Sequence, residues 1–286
     1  MTLTDTIKQE ATRLGFVAVG VSRVEAGPDS SLTPDTPPGS LRARLEDWLR
    51  RGYHGTMSWM ARDAARRADP AQVLPGCRSL LSVGMNYWTD HRADERPGQG
   101  RIARYAWGRD YHDVLGERLA ALAARIEAVA PGAHTKWYVD TGPVMEKAWA
   151  QRAGLGWIGK HSHLVSTQFG SWLLLGEILT TLALQPDDPG ADLCGSCTLC
   201  IRACPTGAIT EPYVVDASRC ISYLTIEFRG REEEIPEDFR RRMGNRIFGC
   251  DDCLDVCPYN LQAQPTAEPA FQPTSTTLIP NLSTLD

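Results

Sequence analysis

The sequence predicts a layered α/β (α+β) domain followed by a small cysteine-rich module. Three observations carry that expectation. Strand-length apolar runs alternate with segments of helical period over the first 184 residues. The stretch Pro186-Asp-Asp-Pro-Gly-Ala-Asp192 then breaks the pattern. Eight of the nine cysteines follow it, in two groups that each end in Cys-Pro.

The elements follow in order. Ile7, Ala11 and Leu14 share one face of a helix over 4–14, and Gly15 ends it ahead of the buried-strand run Phe16-Val-Ala-Val-Gly-Val21. A loop rich in Pro, Gly, Ser and Asp covers 27–40, with a helix around 41–51. Pro75-Gly76 turns into a second interior strand, Leu80 to Tyr87. Leu115, Leu119, Leu122, Ile126 and Val129 form the stripe of the clearest helix, 113–130, which Pro131-Gly132 stops. A strand over 135–141, a helix over 144–152 and a strand over 171–181 complete the domain. The expected units are 1–184, 185–265 with a helical insertion at 221–247, and a tail, 266–286.

At 286 residues, 42% hydrophobic and 23% charged, the chain has the composition of a globular protein with room for a large core. A net charge of -5 excludes a uniformly basic nucleic-acid binder, so any such contact needs a local patch. No run approaches the ~18 apolar residues of a membrane span. Met1 to Glu10 carries neither a basic-then-apolar leader nor twin arginines. The expectation is a monomeric cytoplasmic protein with no membrane partner, in whose reducing compartment clustered cysteines are metal ligands.

The first group reads Cys194-x-x-Cys197-x-x-Cys200-x-x-x-Cys204-Pro205; the second reads Cys250-x-x-Cys253-x-x-x-Cys257-Pro258, with Cys220 ahead of it. Zinc is the plain alternative, but zinc sites pair two short knuckles around one ion. Three cysteines on one seven-residue loop, with Cys-Pro endings, match the dicluster ferredoxin spacing, whose last thiolate crosses to the other cluster. That rule predicts two 4Fe–4S clusters, one on Cys194, Cys197, Cys200 and Cys257. The other falls on Cys204, Cys220, Cys250 and Cys253. Cys77 is left over and reads as a small core residue.

Other segments carry a resemblance. Arg104-Tyr-Ala-Trp-Gly-Arg-Asp-Tyr-His112, Val139-Asp-Thr-Gly-Pro143, Gly154-Leu-Gly-Trp-Ile-Gly-Lys-His161 and Gly170-Ser-Trp172 resemble the epoxyqueuosine reductases. So do Gly207-Ala-Ile-Thr-Glu-Pro-Tyr213, Cys220-Ile-Ser-Tyr-Leu-Thr-Ile-Glu227 and Met243-Gly-Asn-Arg-Ile-Phe-Gly-Cys-Asp-Asp-Cys253. The resemblance runs from about residue 5 to about residue 262. It implies a nitroreductase-like domain that holds cobalamin, related to reductive dehalogenases, and a ferredoxin-like domain that feeds it electrons. The implied reaction turns epoxyqueuosine into queuosine at the wobble position of tRNAs with GUN anticodons (Asp, Asn, His, Tyr). A low-potential donor such as flavodoxin or ferredoxin is implied as well.

Locally Asp140 reads as a turn cap ahead of Gly142-Pro143; it is the resemblance that makes it the proton donor. Donation near pH 7 from a carboxyl that ordinarily titrates near 3.9 asks roughly 4 kcal/mol of its surroundings, which burial beside a flat apolar ring supplies. Tyr105, Arg109, Tyr111 and His112, and Lys160, His161 and Ser162 after a glycine-rich segment, are candidate cofactor and substrate contacts. Each also reads as an ordinary loop residue. Arg67 is a further candidate contact. The family holds cobalamin without a lower-face histidine, so His54, His112, His161 and His163 are not assigned to cobalt. Arg240, Arg241, Arg242 and Arg246 form the one concentrated positive patch, either a phosphate-binding surface for tRNA or a solvated face offsetting Glu232 to Glu234. Longer family members continue into a helical-repeat segment, whereas 29 residues (286 − 257) follow Cys257 here, which makes tRNA affinity the property least supported. Two rival functions are a cobalamin-dependent reductase of another small epoxide or organohalide, and a non-catalytic dicluster electron carrier.

Overall fold

The computed structural model describes residues 1–24, 40–92 and 98–284. The predicted loop at 27–40 lies outside the described residues except for Ser40, which caps the helix after it.

Helix α1 (Leu3–Arg13) starts at a capping box, in which Thr2 and Asp5 satisfy each other's backbone N–H groups. Strands β1 (Ala18–Arg23), β2 (Ser79–Asn86), β3 (Thr135–Tyr138) and β4 (Leu173–Thr180) form one sheet in the order β1-β2-β4-β3. Every neighbouring pair is antiparallel, which places the domain in the α+β class despite its alternating elements. Strand β2 is buried along its whole length because helices cover both faces.

Alternation sorts its side chains. Leu81, Val83 and Met85 of β2 and Ile178 of β4 face α1 and helix α3 (Tyr111–Val129), after α2 (Leu41–Arg50) on the chain. Leu80 and Leu179 face Leu41 of α2 and Ala148 and Trp149 of helix α4 (Glu146–Arg152). Cys77 belongs to this second core. Helix α3 lies close on β4: a Cβ on Gly176 would stand 2.7 Å from Leu119. Its buried stripe runs from Val114 through Leu115, Leu119 and Leu122 to Ile126; Val129, expected in the stripe, is the last helical residue and is 49% exposed.

The cysteine-rich segment shares this core. Leu254, Ala263 and Phe271 are buried in the same cluster as Leu81 and Ile178, with Cys253 against it. The stretch 186–192, expected to be a boundary, is strapped to the sheet. Asp187 accepts from the Val21 N–H at 2.7 Å and pairs with Lys8 at 2.5 Å. The insertion after Cys220 holds helices Ile221–Ile226 and Glu237–Met243; its last residues enter a short strand, Arg246–Phe248, parallel to Arg101–Ile102.

Leu119 is fully buried between α3 and β4. Leu119→Ala is expected to cost about 3 kcal/mol, read from urea unfolding. A loss below about 1 kcal/mol would mean that this contact does not hold the helix to the sheet.

Candidate active site

Strand β3 ends at Tyr138 and the chain reverses within three residues. The Thr141 N–H donates to Val139 O at 2.5 Å, with Asp140 at the centre of the turn at φ +56°. Side chains rarely adopt this left-handed conformation, although aspartate tolerates it better than most. Gly142 is required beside it, because a Cβ there would stand 2.3 Å from the Tyr138 ring. Strain of about 1–3 kcal/mol kept at such a place is a mark of functional positions.

Asp140 lines a cavity of about 300 Å³ between the sheet and the cysteine-rich segment. Its lining includes Asp140, Glu146 and Lys147, residues Leu173 to Leu175, and Cys204, Cys220, Cys250 and Cys253. Asp140 Oδ2 lies 3.6 Å from His112 Nε2, and the Asp140 charge adds to the burial that raises the nearby Tyr111 phenol. His112 is itself held at 2.7 Å by Asp110, the cap of α3, and its ring lies 4.1 Å from that of Tyr111. The burial expected of Asp140 was that beside a bound ring, and the protein by itself leaves the carboxyl open. The Asp140 side chain is 67% exposed, because the turn lifts it off the end of the strand.

The surrounding groups titrate away from their ordinary ranges. Burial pushes the Glu146 carboxyl up to about 7; the Asp140 charge adds to this, and Lys147 and Arg67 oppose it. Burial, then the charge of Lys147, lowers His161 to about 4 and drives His163 down as well. Both imidazoles are neutral at pH 7. Burial raises the Tyr105 and Tyr111 phenols well above their usual value, so both remain hydrogen-bond donors. Lys147 and His163 present surface to the cavity while protein surrounds them, and burial lowers the Lys147 ammonium. Glu146 and Lys147 escaped the sequence reading; their signal was a charged pair heading the apolar run Ala148-Trp149-Ala150.

The other expected contacts divide. Tyr105, Tyr111 and His161 line the cavity, while Arg67 reaches its rim through Gly142 O at 3.4 Å. Arg109 does not come to it: its side chain is 60% exposed beside Glu117. Lys160 and Ser162 face away and fasten the two parts of the chain together. Lys160 Nζ donates to Gly195 O at 2.5 Å and Cys197 O at 2.9 Å, and the Ser162 hydroxyl donates to Tyr213 O at 2.8 Å. The arginine patch is already paired. Arg240 meets Glu232, Arg241 meets Glu237, Arg242 meets Asp238 and Arg246 meets Asp252.

The thiols occupy two neighbourhoods. Burial raises Cys220, Cys250 and Cys253, Cys250 to about 12, and the charges of this group and of Cys204 reinforce the effect. Burial also raises Cys200, with Cys194 and Cys197 adding to it. Helix Asp252–Asp255 packs against Leu199–Ala203, which brings the end of the second motif, Cys257, toward the first. Two sulfurs accept N–H bonds: Cys194 from the Trp157 indole at 3.4 Å and Cys204 from the Ala208 backbone at 3.2 Å. Among the described residues no three His, Cys, Asp or Glu converge on a single-ion position. Four thiolates around an iron–sulfide cube stand farther apart than around one zinc ion, so this donor set suits clusters.

The family model described as "4Fe-4S double cluster binding domain" matches residues 193–260, and that of "Epoxyqueuosine reductase QueG, DUF1730" matches residues 67–141. An epoxyqueuosine reductase of Synechocystis sp. is 49% identical over 243 residues, covering 85% of this chain and 83% of its own. The chain belongs to the epoxyqueuosine reductase family. It is accordingly an oxidoreductase with an iron–sulfur double-cluster domain. A crystal structure of epoxyqueuosine reductase with an epoxyqueuosine-modified tRNA-Tyr stem loop superposes with TM-score 0.85 at 33% identity, covering 98% of this chain and 71% of that one. A Bacillus subtilis epoxyqueuosine reductase whose catalytic aspartate loop is swung out of the active site gives TM-score 0.84 at 31% identity, with 98% and 71% covered. A catabolic reductive dehalogenase shares the fold at TM-score 0.53 and 18% identity, over 92% of this chain and 32% of its own. Among the described residues no helix is long and apolar enough to cross a membrane.

Lys160 is the buried cation that pins the loop carrying Cys194 and Cys197. Lys160→Met keeps the apolar stem and removes the donor. Its expected result is loss of about half of the protein's iron and sulfide, one cluster of two, measured on anaerobically purified protein. Full iron content would show that the loop holds its shape without the clamp.

Proposed function

We propose that this chain reduces the epoxide of epoxyqueuosine to the alkene of queuosine at the wobble position of tRNA, with Asp140 as proton donor. The observation that carries this reading is the strained Asp140 turn set in one cavity with four clustered thiols. The relative bound to a modified tRNA stem loop, and the relative whose catalytic aspartate loop swings, support substrate and acid respectively.

Two 4Fe–4S clusters would sit on Cys194, Cys197, Cys200 and Cys257, and on Cys204, Cys220, Cys250 and Cys253. The two thiol neighbourhoods support that division. Cobalamin fits the cavity by chemistry: Leu173 to Leu175 and Ile209 offer apolar surface to a macrocycle, while Tyr105 and His161 offer polar atoms at its edge. When bound, cobalamin supplies a strongly reducing cobalt centre, and the clusters bring it single electrons.

This chain's own groups do the positioning. His112, 3.6 Å from the Asp140 carboxyl, would steady it at the cavity. A substrate and a ring filling the cavity would cover that carboxyl, disfavour its charge and ready it to give a proton to the departing oxygen. Tyr105 and Tyr111 stay protonated and donate hydrogen bonds to developing negative charge. The leucine wall excludes water. The working division remains 1–184 for cofactor and substrate, 185–265 for electron delivery and 266–286 as a tail. The proposed partners are tRNAs with GUN anticodons and a low-potential flavodoxin or ferredoxin, met as a monomer in the cytoplasm.

The direct experiment supplies cobalamin-loaded protein, a strong reductant and epoxyqueuosine-containing tRNA without oxygen, and reads the nucleosides by mass spectrometry. Queuosine, one oxygen lighter, is the expected product. Asp140→Asn should retain cobalamin and iron yet lose at least about 100-fold in rate. Near-normal turnover in that variant would remove Asp140 as the acid, and no product from the wild type would remove the substrate.

A further inference from the structure

Removing an epoxide oxygen as water consumes two protons, and Asp140 can release one. Resting on the reading above, we propose that Glu146 supplies the second proton, from the same wall of the cavity. Both C–O bonds to the epoxide oxygen break and a C=C bond forms. Two electrons arrive one at a time through the clusters from an external low-potential donor, and the oxygen leaves as water with one proton from Asp140 and one from Glu146.

Placement supports this. Glu146 is the first residue of α4 and lines the cavity with Asp140. Among the described residues its Oε1 is shielded from solvent with no hydrogen-bond partner. A structural carboxylate ordinarily has its lone pairs satisfied, and an unpaired oxygen in a dry site is costlier for a charged carboxylate than for a neutral, proton-carrying carboxyl. The charged groups around it are Asp140 from the turn, Lys147 on its own helix, Arg67 from the helix Ala64–Ala68, and Glu177 from β4 below. Burial, reinforced by Asp140, leaves it protonated around neutral pH. The alternatives on the same walls are poorer sources. His161 and His163 are already neutral, and Tyr105 and Tyr111 hold their protons too tightly.

The test follows product formation in single turnover against pH, with cobalamin-loaded wild type, Glu146→Gln, Glu146→Asp and Lys147→Met. The wild-type rate should fall above about pH 7, where Glu146 ionises. Glu146→Gln should be slower by about 100-fold and lack that limb; Glu146→Asp should keep it. A readout independent of activity is the acid–base titration of wild type minus Glu146→Gln, which should show one proton released over roughly pH 6 to 8. A wild-type pH profile in Glu146→Gln overturns the inference. So does a limb lost in Lys147→Met alone, which assigns the proton to the ammonium. Loss of cobalamin from Glu146→Gln with its clusters intact overturns it too, making Glu146 a cofactor contact. If the wild type makes no queuosine, the functional reading fails by itself. The difference titration then still decides whether Glu146 carries a proton at neutral pH.

Discussion

Thiolates that hold iron need a dry wall, and here the α/β core provides it. Cys253 packs against the cluster of apolar side chains that includes Leu81, Val83 and Ile178, so the cysteine-rich segment completes the core of the first domain. Burial that pushes Cys250 to about 12 makes bare thiolates costly there. Positive iron offsets that cost, which ties the folding of this wall to cluster insertion. The cavity's position follows. Its lining brings Cys204, Cys220, Cys250 and Cys253 together with leucines of β4 and with Asp140 from the turn after β3.

A shared core would be of little use if the two parts could slide. Three straps oppose that. Asp187 ties the connecting stretch to β1 and α1, Lys160 holds two carbonyls of the first cysteine loop, and Ser162 holds Tyr213. None touches the cavity. Each joins a residue of the first domain to backbone or carboxylate of the connecting or cysteine-rich segment. This fixes the distance between the clustered sulfurs and the cavity carboxyls more firmly than a flexible linker could.

Periodicity and cysteine spacing were legible because they are local. The stripe from Leu115 to Ile126 and the motif Cys194 to Cys204 depend on neighbours within a few turns of chain. What the sequence concealed depends on long-range placement. The Gly-rich run before Lys160 reads as a loop that approaches a ligand. The lysine instead reaches carbonyls 35 and 37 positions away. Arg240, Arg241 and Arg242 read as a patch; in the fold their charges meet carboxylates on the same helix or just before it, a pairing that i,i+4 spacing makes easy. Asp140 was singled out through resemblance, and its local reading as a turn residue is correct, since it stands at the centre of a tight turn. Turn and acid are compatible, because the strained turn is what carries the carboxyl clear of the sheet. Glu146 left only a faint trace, a charge at the head of an apolar helix.

The paired arginines bear on how RNA would be recognised. A helix whose cations already meet anions releases few counterions on binding phosphate, so that face contributes a shallow salt dependence. Recognition then rests on the cavity itself, and an unstacked loop nucleoside is the form of RNA that a pocket can accept at low cost. Such a site reads the modified base and leaves the rest of the tRNA to weaker contacts. It also explains the arrangement of charge inside. His161 and His163 are held neutral, Tyr105 and Tyr111 are held protonated, and carboxyls and thiols line the same cavity. A nucleoside inserted there would meet thiols and carboxyls within one enclosure.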